Sequence, residues 1–350
     1  MRRPFSISAK VALAASLWLS GSFAFACSVP VFRYALDHWP SDAYRLEVSA
    51  AAAKDEGVAK FLRNHGASSP LNLTVVRLPD TTKASSSRLW SPRANETGLP
   101  PVWSAALDTT TLATLTNSPT RHEIVKRILA GESAVWVLIE SGNREVDEAA
   151  AKKLSKRLTF LESAAMLPPI DPTDPTSELG PGPALRVKFS MIRVHHDDPV
   201  EAPLVAMITG PKKDSLPAAE PILAPVFGRG RVLGAWPAKD LEADQIDEAC
   251  LFVLSACSCQ VKQLNPGWDL LLAVDWDEQL QAIGFPKNKN EPTKANAIAA
   301  PETVTISGGG APPSTRSSAP TPAAKLVVAG ITLVLLAIGA LAWHNAQAKS

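Results

Sequence analysis

Four cysteines, Cys27, Cys250, Cys257 and Cys259, and a donor-dense run, His195-His196-Asp197-Asp198, are the residues of this chain whose types and spacing lend themselves to chemistry. Cys250 and Cys257 are seven positions apart; on an unbroken helix that is about 10.5 Å along the axis, beyond the roughly 7 Å that a disulfide tolerates between Cα atoms. They do not pair with each other there. Cys257 and Cys259 flank a single serine and could close a small strained ring, or one of them could take Cys27. Three uses stay open for the set: a structural disulfide, a soft-metal site for copper or zinc, or thiol–disulfide exchange. Cys257-Ser258-Cys259 falls at the C-terminal end of its expected helix, where the dipole raises a thiol pKa, whereas Cys27 precedes a helix N-terminus, the side that favours a thiolate.

His195, His196 and Asp197 could join Cys257 and Cys259 as metal donors. Adjacent strand residues face opposite sides, so at most one histidine and one carboxylate would converge without help. Gly228-Arg229-Gly230-Arg231 could offer Arg229 and Arg231 to an anion, although a hairpin turn with exposed arginines also accounts for the pattern. No G-x-S-x-G, H-E-x-x-H or Walker sequence occurs, so no residue is assigned a catalytic role, no cofactor is implied, and the reading leans away from an enzyme. Asn72 and Asn95 head glycosylation sequons that matter only in a eukaryotic secretory host. Trp136, Trp236, Trp268 and Trp276 lie on or beside expected strands and read as core.

The elements that must position these residues alternate between the two periodicities. Pro30 opens a short helix to His38, Tyr44–Val48 reads as a strand, Ala50–Asn64 as an alanine-rich helix, and Leu71–Leu78 as a strand. Residues 79–101, rich in Ser, Thr, Pro and Arg, read as a surface insertion, with structure resuming over 102–107. Ser118 and Pro119 begin a helix that Gly131 stops. Ala134–Ile139 is a continuous apolar strand, and Arg144–Leu161 an amphipathic helix with Val146, Ala150, Leu154, Leu158 and Leu161 inward. This is an α/β layer pattern. The proline-rich run 168–183 reads as a linker, dividing an α/β domain over 27–167 from a second over 184–285, both with mixed sheets. The second comprises a strand over 184–194, a hairpin of 222–227 with 232–236, an acid-started helix over 241–256, and a last apolar strand, Leu270–Trp276.

At the far end, Leu326–Trp343 is an uncharged apolar run of about eighteen residues, enough to cross roughly 30 Å of hydrocarbon as a helix. At the near end, Arg2, Arg3 and Lys10, the apolar stretch to Phe25 and the Ala24-Phe25-Ala26 site read as an export signal over 1–26. The expected protein is therefore single-pass in the cell membrane, with its folded part outside the cytoplasm. A disordered stalk over 286–324 leads to the span, 325–343, and a cytoplasmic tail, 344–350. The lipid bilayer is the partner through Leu326–Trp343, and an envelope protein is the further expected partner. Cys27 directly after the cleavage site also raises lipidation. With 35 basic and 34 acidic residues the net charge is +1, which provides no field for nucleic acid, and with no clustered basic stripe nucleic-acid binding is disfavoured.

The opening Cys27-Ser-Val-Pro-Val-Phe-Arg-Tyr-Ala-Leu, with Ala256–Asn265 and the apolar run after it, resembles an uncharacterised family of exported bacterial proteins. The resemblance implies an envelope location and brings no activity with it. The order of strand, hairpin and helix in the second half resembles thioredoxin-like domains, which implies that fold for it, but no C-x-x-C opens a helix anywhere in the chain.

Overall fold

The computed structural model describes residues 28–284 apart from 67, 82–84, 93–98, 172, 211–219 and 258–260. The expected signal, stalk, span and tail, and the cysteines Cys27 and Cys259, lie outside the described residues. Among the described residues no helix is long and apolar enough to cross a membrane.

Helix α1 (Val31–His38) follows Pro30, and strand β1 (Tyr44–Val48) follows it. The expected alanine-rich helix is split. Ala52–Lys54 makes a single 3-10 turn, and α2 (Glu56–Asn64) starts afresh because the Asp55 side chain caps the Val58 N–H. The Thr109 hydroxyl donates to Asp55 and holds that carboxyl below its usual range. Strand β2 (Leu73–Arg77) then pairs parallel to β1, completing a β-α-β unit.

Residues 79–101 are not simply an insertion. Strand β3 (Ser87–Trp90) pairs antiparallel with β1, and β4 (Trp103–Ala105) pairs with β3, giving a four-stranded sheet of order β2-β1-β3-β4. Two helices follow: α3 (Thr109–Thr116), capped by Asp108, and α4 (Pro119–Leu129), capped by Ser118 with proline in its first turn. A serine cap of this kind contributes about 1 kcal/mol.

Strand β5 (Ala134–Glu140) is buried along its whole length, and α5 (Arg144–Ala164) covers it. Beyond the proline-rich run come β6 (Phe189–His195), α6 (Ala202–Thr209), β7 (Ile222–Phe227), β8 (Arg231–Val232), β9 (Trp236–Pro237), α7 (Ala243–Leu254), β10 (Trp268–Asp269) and α8 (Trp276–Gly284). They form the second sheet, β10-β8-β7-β5-β6, with β9 also on β7. Strand β5 alternates between two cores: Val135, Val137 and Ile139 face the first sheet with α3, α4 and α6, while Ala134, Trp136 and Leu138 face α1, α5 and α7. A strand buried on both faces has no polar alternation, which is why its sequence is an unbroken apolar run.

That sheet corrects the two-domain division. Strand β5, on one side of the proline-rich run, lies between β6 and β7, both on the other, and contacts gather the described residues into one compact unit. The run is a strap. Ser177 Oγ accepts from the Ser28 hydroxyl at 2.7 Å, and the buried Arg33 donates to the carbonyls of Gly180 and Pro183. The fold is thus mixed α/β with two mixed sheets in one unit.

The last apolar run is also shorter as a strand than its composition suggests. The ladder with β8 stops at Asp269, Leu270–Leu272 are buried outside any strand, Ala273 makes a single antiparallel bridge to Leu71, and Trp276 opens α8. The backbone there is held from the side by Asn72, whose amide donates to Asp42 O and Leu270 O and accepts from Leu272 N–H at 2.7 Å. This sequon asparagine is a structural clamp with its polar atoms in use.

Candidate functional site

Strands β5 and β6 run parallel, and their last paired residues are Glu140 and His195. Ligands of open α/β sheets gather beyond the carboxyl ends of such strands. Here a cleft of about 640 Å³ opens, bordered by Glu140, Arg144, Glu148, Arg193, His195, His196 and Asp197.

Its fixed centre is Glu140, only 5 % exposed. One carboxylate oxygen accepts from Arg193 Nε at 2.5 Å, and the other lies 2.8 Å from His195 Nδ1. Arg193 also reaches Glu148 at 2.8 Å, and these two carboxylates, Glu148 first, hold its guanidinium pKa above the usual value. An ionised carboxylate only accepts, so the His195 proton at this contact sits on Nδ1 and Nε2 is the atom presented outward.

The opposite wall is set by Asp147, whose carboxylate takes the backbone N–H groups of Ser141 and Gly142 and the Ser141 hydroxyl. Gly142 adopts φ +86°, and His196 packs so closely there that an added Cβ would stand 3.1 Å from its ring. Strand geometry ends at His195 and His196 belongs to the turn, so both histidines border one cleft although neighbours on a strand would have faced apart.

The structure separates the other expected site residues. Cys250 and Cys257 are buried in the core beneath α7. Burial first, with Asp247 adding to it, pushes the Cys250 thiol up to about 12 against a downward pull from the Trp136 indole beside it. That indole nitrogen is buried with no hydrogen-bond partner among the described residues. Cys257 lies in that apolar core and donates its backbone N–H to Val29 O, whereas the histidines border the cleft at the strand ends. Among the described residues no three His, Cys, Asp or Glu side chains are grouped to hold a metal.

The arginine pair is corrected as an anion site. Gly228 and Gly230, at φ +55° and +86°, make the β7–β8 turn as expected. Yet Arg231 is buried: it pairs with Asp269 at 3.2 Å, donates to Pro266 O and Asn265 O, and lies over Trp39. Lys262 completes that network, reaching Asp269 at 2.5 Å and Asp42 at 3.0 Å. Arg229 donates to Leu36 O, Asp37 O and Asp277. Both arginines fasten the hairpin to neighbouring loops.

No protein-family model, no curated protein and no solved structure matches this chain, thioredoxin structures included.

Proposed function

We propose that this chain is a membrane-anchored, extracytoplasmic binding protein of the bacterial envelope, and that the cleft at the ends of β5 and β6 receives its ligand. The observation that carries the ligand site is the buried Glu140, which holds Arg193 and His195 together at the floor of an open, polar cleft. Buried carboxylates are costly unless satisfied, and this one is satisfied by two groups that both border the cleft. The location is supported by the export signal over 1–26, the apolar run Leu326–Trp343 and the resemblance of the Cys27–Leu36 opening to exported bacterial proteins. A thiol–disulfide or metal-handling role through Cys27, Cys257 and Cys259 finds less support, since Cys257 is 1 % exposed and a buried thiol in apolar surroundings is a poor nucleophile.

The test is a titration of the full-length protein with a panel of amino acids, short peptides, polyamines and simple sugars, following the imidazole resonances of His195 and His196. A saturable shift confined to these rings and abolished in His195→Ala and Glu140→Gln supports the reading. Binding that shifts other resonances and survives both substitutions would place the ligand elsewhere and refute it.

A further inference from the structure

The four-stranded sheet buries one face, with Leu46, Val48 and Leu89 in the core. Alternation therefore brings Arg45, Glu47, Arg88 and Trp90 onto the other face. The register sets Arg45 beside Trp90 and Glu47 beside Arg88, with Thr74 and Ser104 on the flanking strands. The Arg45 and Arg88 side chains remain 36 % and 38 % exposed.

Both guanidiniums share a single carboxylate. Arg45 Nη1 reaches one Glu47 oxygen at 2.8 Å and Arg88 Nη2 the other at 2.9 Å. Both also stand over the Trp90 ring, 5.2 and 5.6 Å from its centre. Two cations thus share one anion, and the cluster is one negative charge short. Arg45 Nε, Arg88 Nε and Trp90 Nε1 are shut from bulk water and have no acceptor among the described residues, and Glu47 Oε2, which meets Arg88 Nη2 as an ion pair, accepts no hydrogen bond there either. Unpaired donors of this kind call for an explanation, a missing ion being one. The buried Arg121 and Arg231, by contrast, each donate from Nε and from both terminal nitrogens.

We propose that this sheet face is a phosphate-binding site, taking inorganic phosphate or a phosphate ester between Arg45 and Arg88 at the N–H edge of the Trp90 indole. A phosphate supplies the missing negative charge. Its three or more oxygens suit three orphaned donors, where a carboxylate has two; and guanidinium groups bind phosphate through paired N–H donors. The open sides of the two guanidiniums meet the ligand first, and small side-chain rotations then bring the Nε donors to it.

The experiment uses full-length protein labelled with ¹⁵N at tryptophan, the Trp90 indole signal being identified with Trp90→Phe. Inorganic phosphate and glycerol phosphate are added separately, with chloride at matched ionic strength as control. A saturable shift of the Trp90 indole beyond the chloride control is expected, weakened roughly tenfold in Arg45→Lys or Arg88→Lys, which keep the charge and lose the forked donors. Glu47→Gln, which removes the competing carboxylate, should bind more tightly. Binding of both probes supports a site that reads the phosphate group wherever it is attached, and binding of inorganic phosphate alone supports a site for the free ion. No shift beyond chloride, or equal affinity in both lysine variants once each is shown to melt as the parent does, would overturn the proposal.

Discussion

Nδ1 of His195 lies 2.8 Å from a carboxylate oxygen of Glu140, which is itself buried while the His195 side chain is 74 % exposed. One partner is immobile and the other is free to meet solvent, so the pair presents an oriented imidazole to the cleft. Glu140→Gln should lower stability by about 1–3 kcal/mol, because Arg193 loses its buried partner, read as a shift of the urea midpoint. In the same variant His195 should lose its preference for a proton on Nδ1, visible in its ¹⁵N shifts. An unchanged tautomer population would show that Glu140 does not orient the ring.

The Cys250 thiol is raised from 9.0 to about 12 by burial. A raised folded-state value means that the unfolded chain ionises first. The stability held by the neutral thiol is complete below about pH 9 and is lost as pH climbs toward 12. Cys250→Ala removes this contribution, so the difference in unfolding free energy between parent and variant should shrink steadily above pH 9. A difference that stays constant from pH 8 to 11 would contradict the assignment. In the native protein at neutral pH a thiol reagent should leave Cys250 unmodified and react with it after denaturation.

Arg121 is 2 % exposed and forms no ion pair among the described residues; it donates instead to the carbonyls of Leu115, Thr114 and Leu271 and to Ser118 Oγ. Burial, offset in part by Glu201, lowers its pKa to about 10. It ties α3 and α4 to the segment after β10. Arg121→Met should cost about 3 kcal/mol or more, since two buried carbonyls and a partly buried third lose their donor, measured by urea unfolding. A loss below about 1 kcal/mol would mean that water replaces the guanidinium.

Asn72 makes the same kind of bridge from the first sheet. Asn72→Ala should cost about 2 kcal/mol through three lost hydrogen bonds and should raise amide exchange at Leu272, whose N–H it accepts. Unchanged protection at Leu272 would remove Asn72 as the clamp.

Elements set by local pattern were readable in the residues alone. Tyr44–Val48 alternates, Ala134–Ile139 is apolar throughout, Ser118-Pro119 is a helix start, and Gly228-Arg229-Gly230-Arg231 is a hairpin turn. Strand β3 was hidden because its outward residues, Arg88 and Trp90, sit in a Ser/Thr/Pro/Arg-rich stretch that resembles a loop. The pairing of β5 with β6 and β7 joins residues across the proline-rich run, and no local residue type announces a non-local partner. Arg229 and Arg231 looked exposed because their partners are mostly backbone carbonyls, which composition does not reveal. At the cleft, His195 and His196 were visible as donors; that they border one space follows from a turn at His196, and Glu140 passed for the polar end of an apolar strand.

We propose that Leu326–Trp343 holds the folded part of this protein at the outer side of a cell membrane. It is tested most directly by expressing the full-length chain with a reporter after Ser350 in a bacterial cell and treating spheroplasts with protease. The account predicts a membrane-fraction protein whose residues 28–284 are reached by the protease while the reporter is protected. A full-length product in the soluble fraction, or a folded part that is digested only after the membrane is broken, would contradict it.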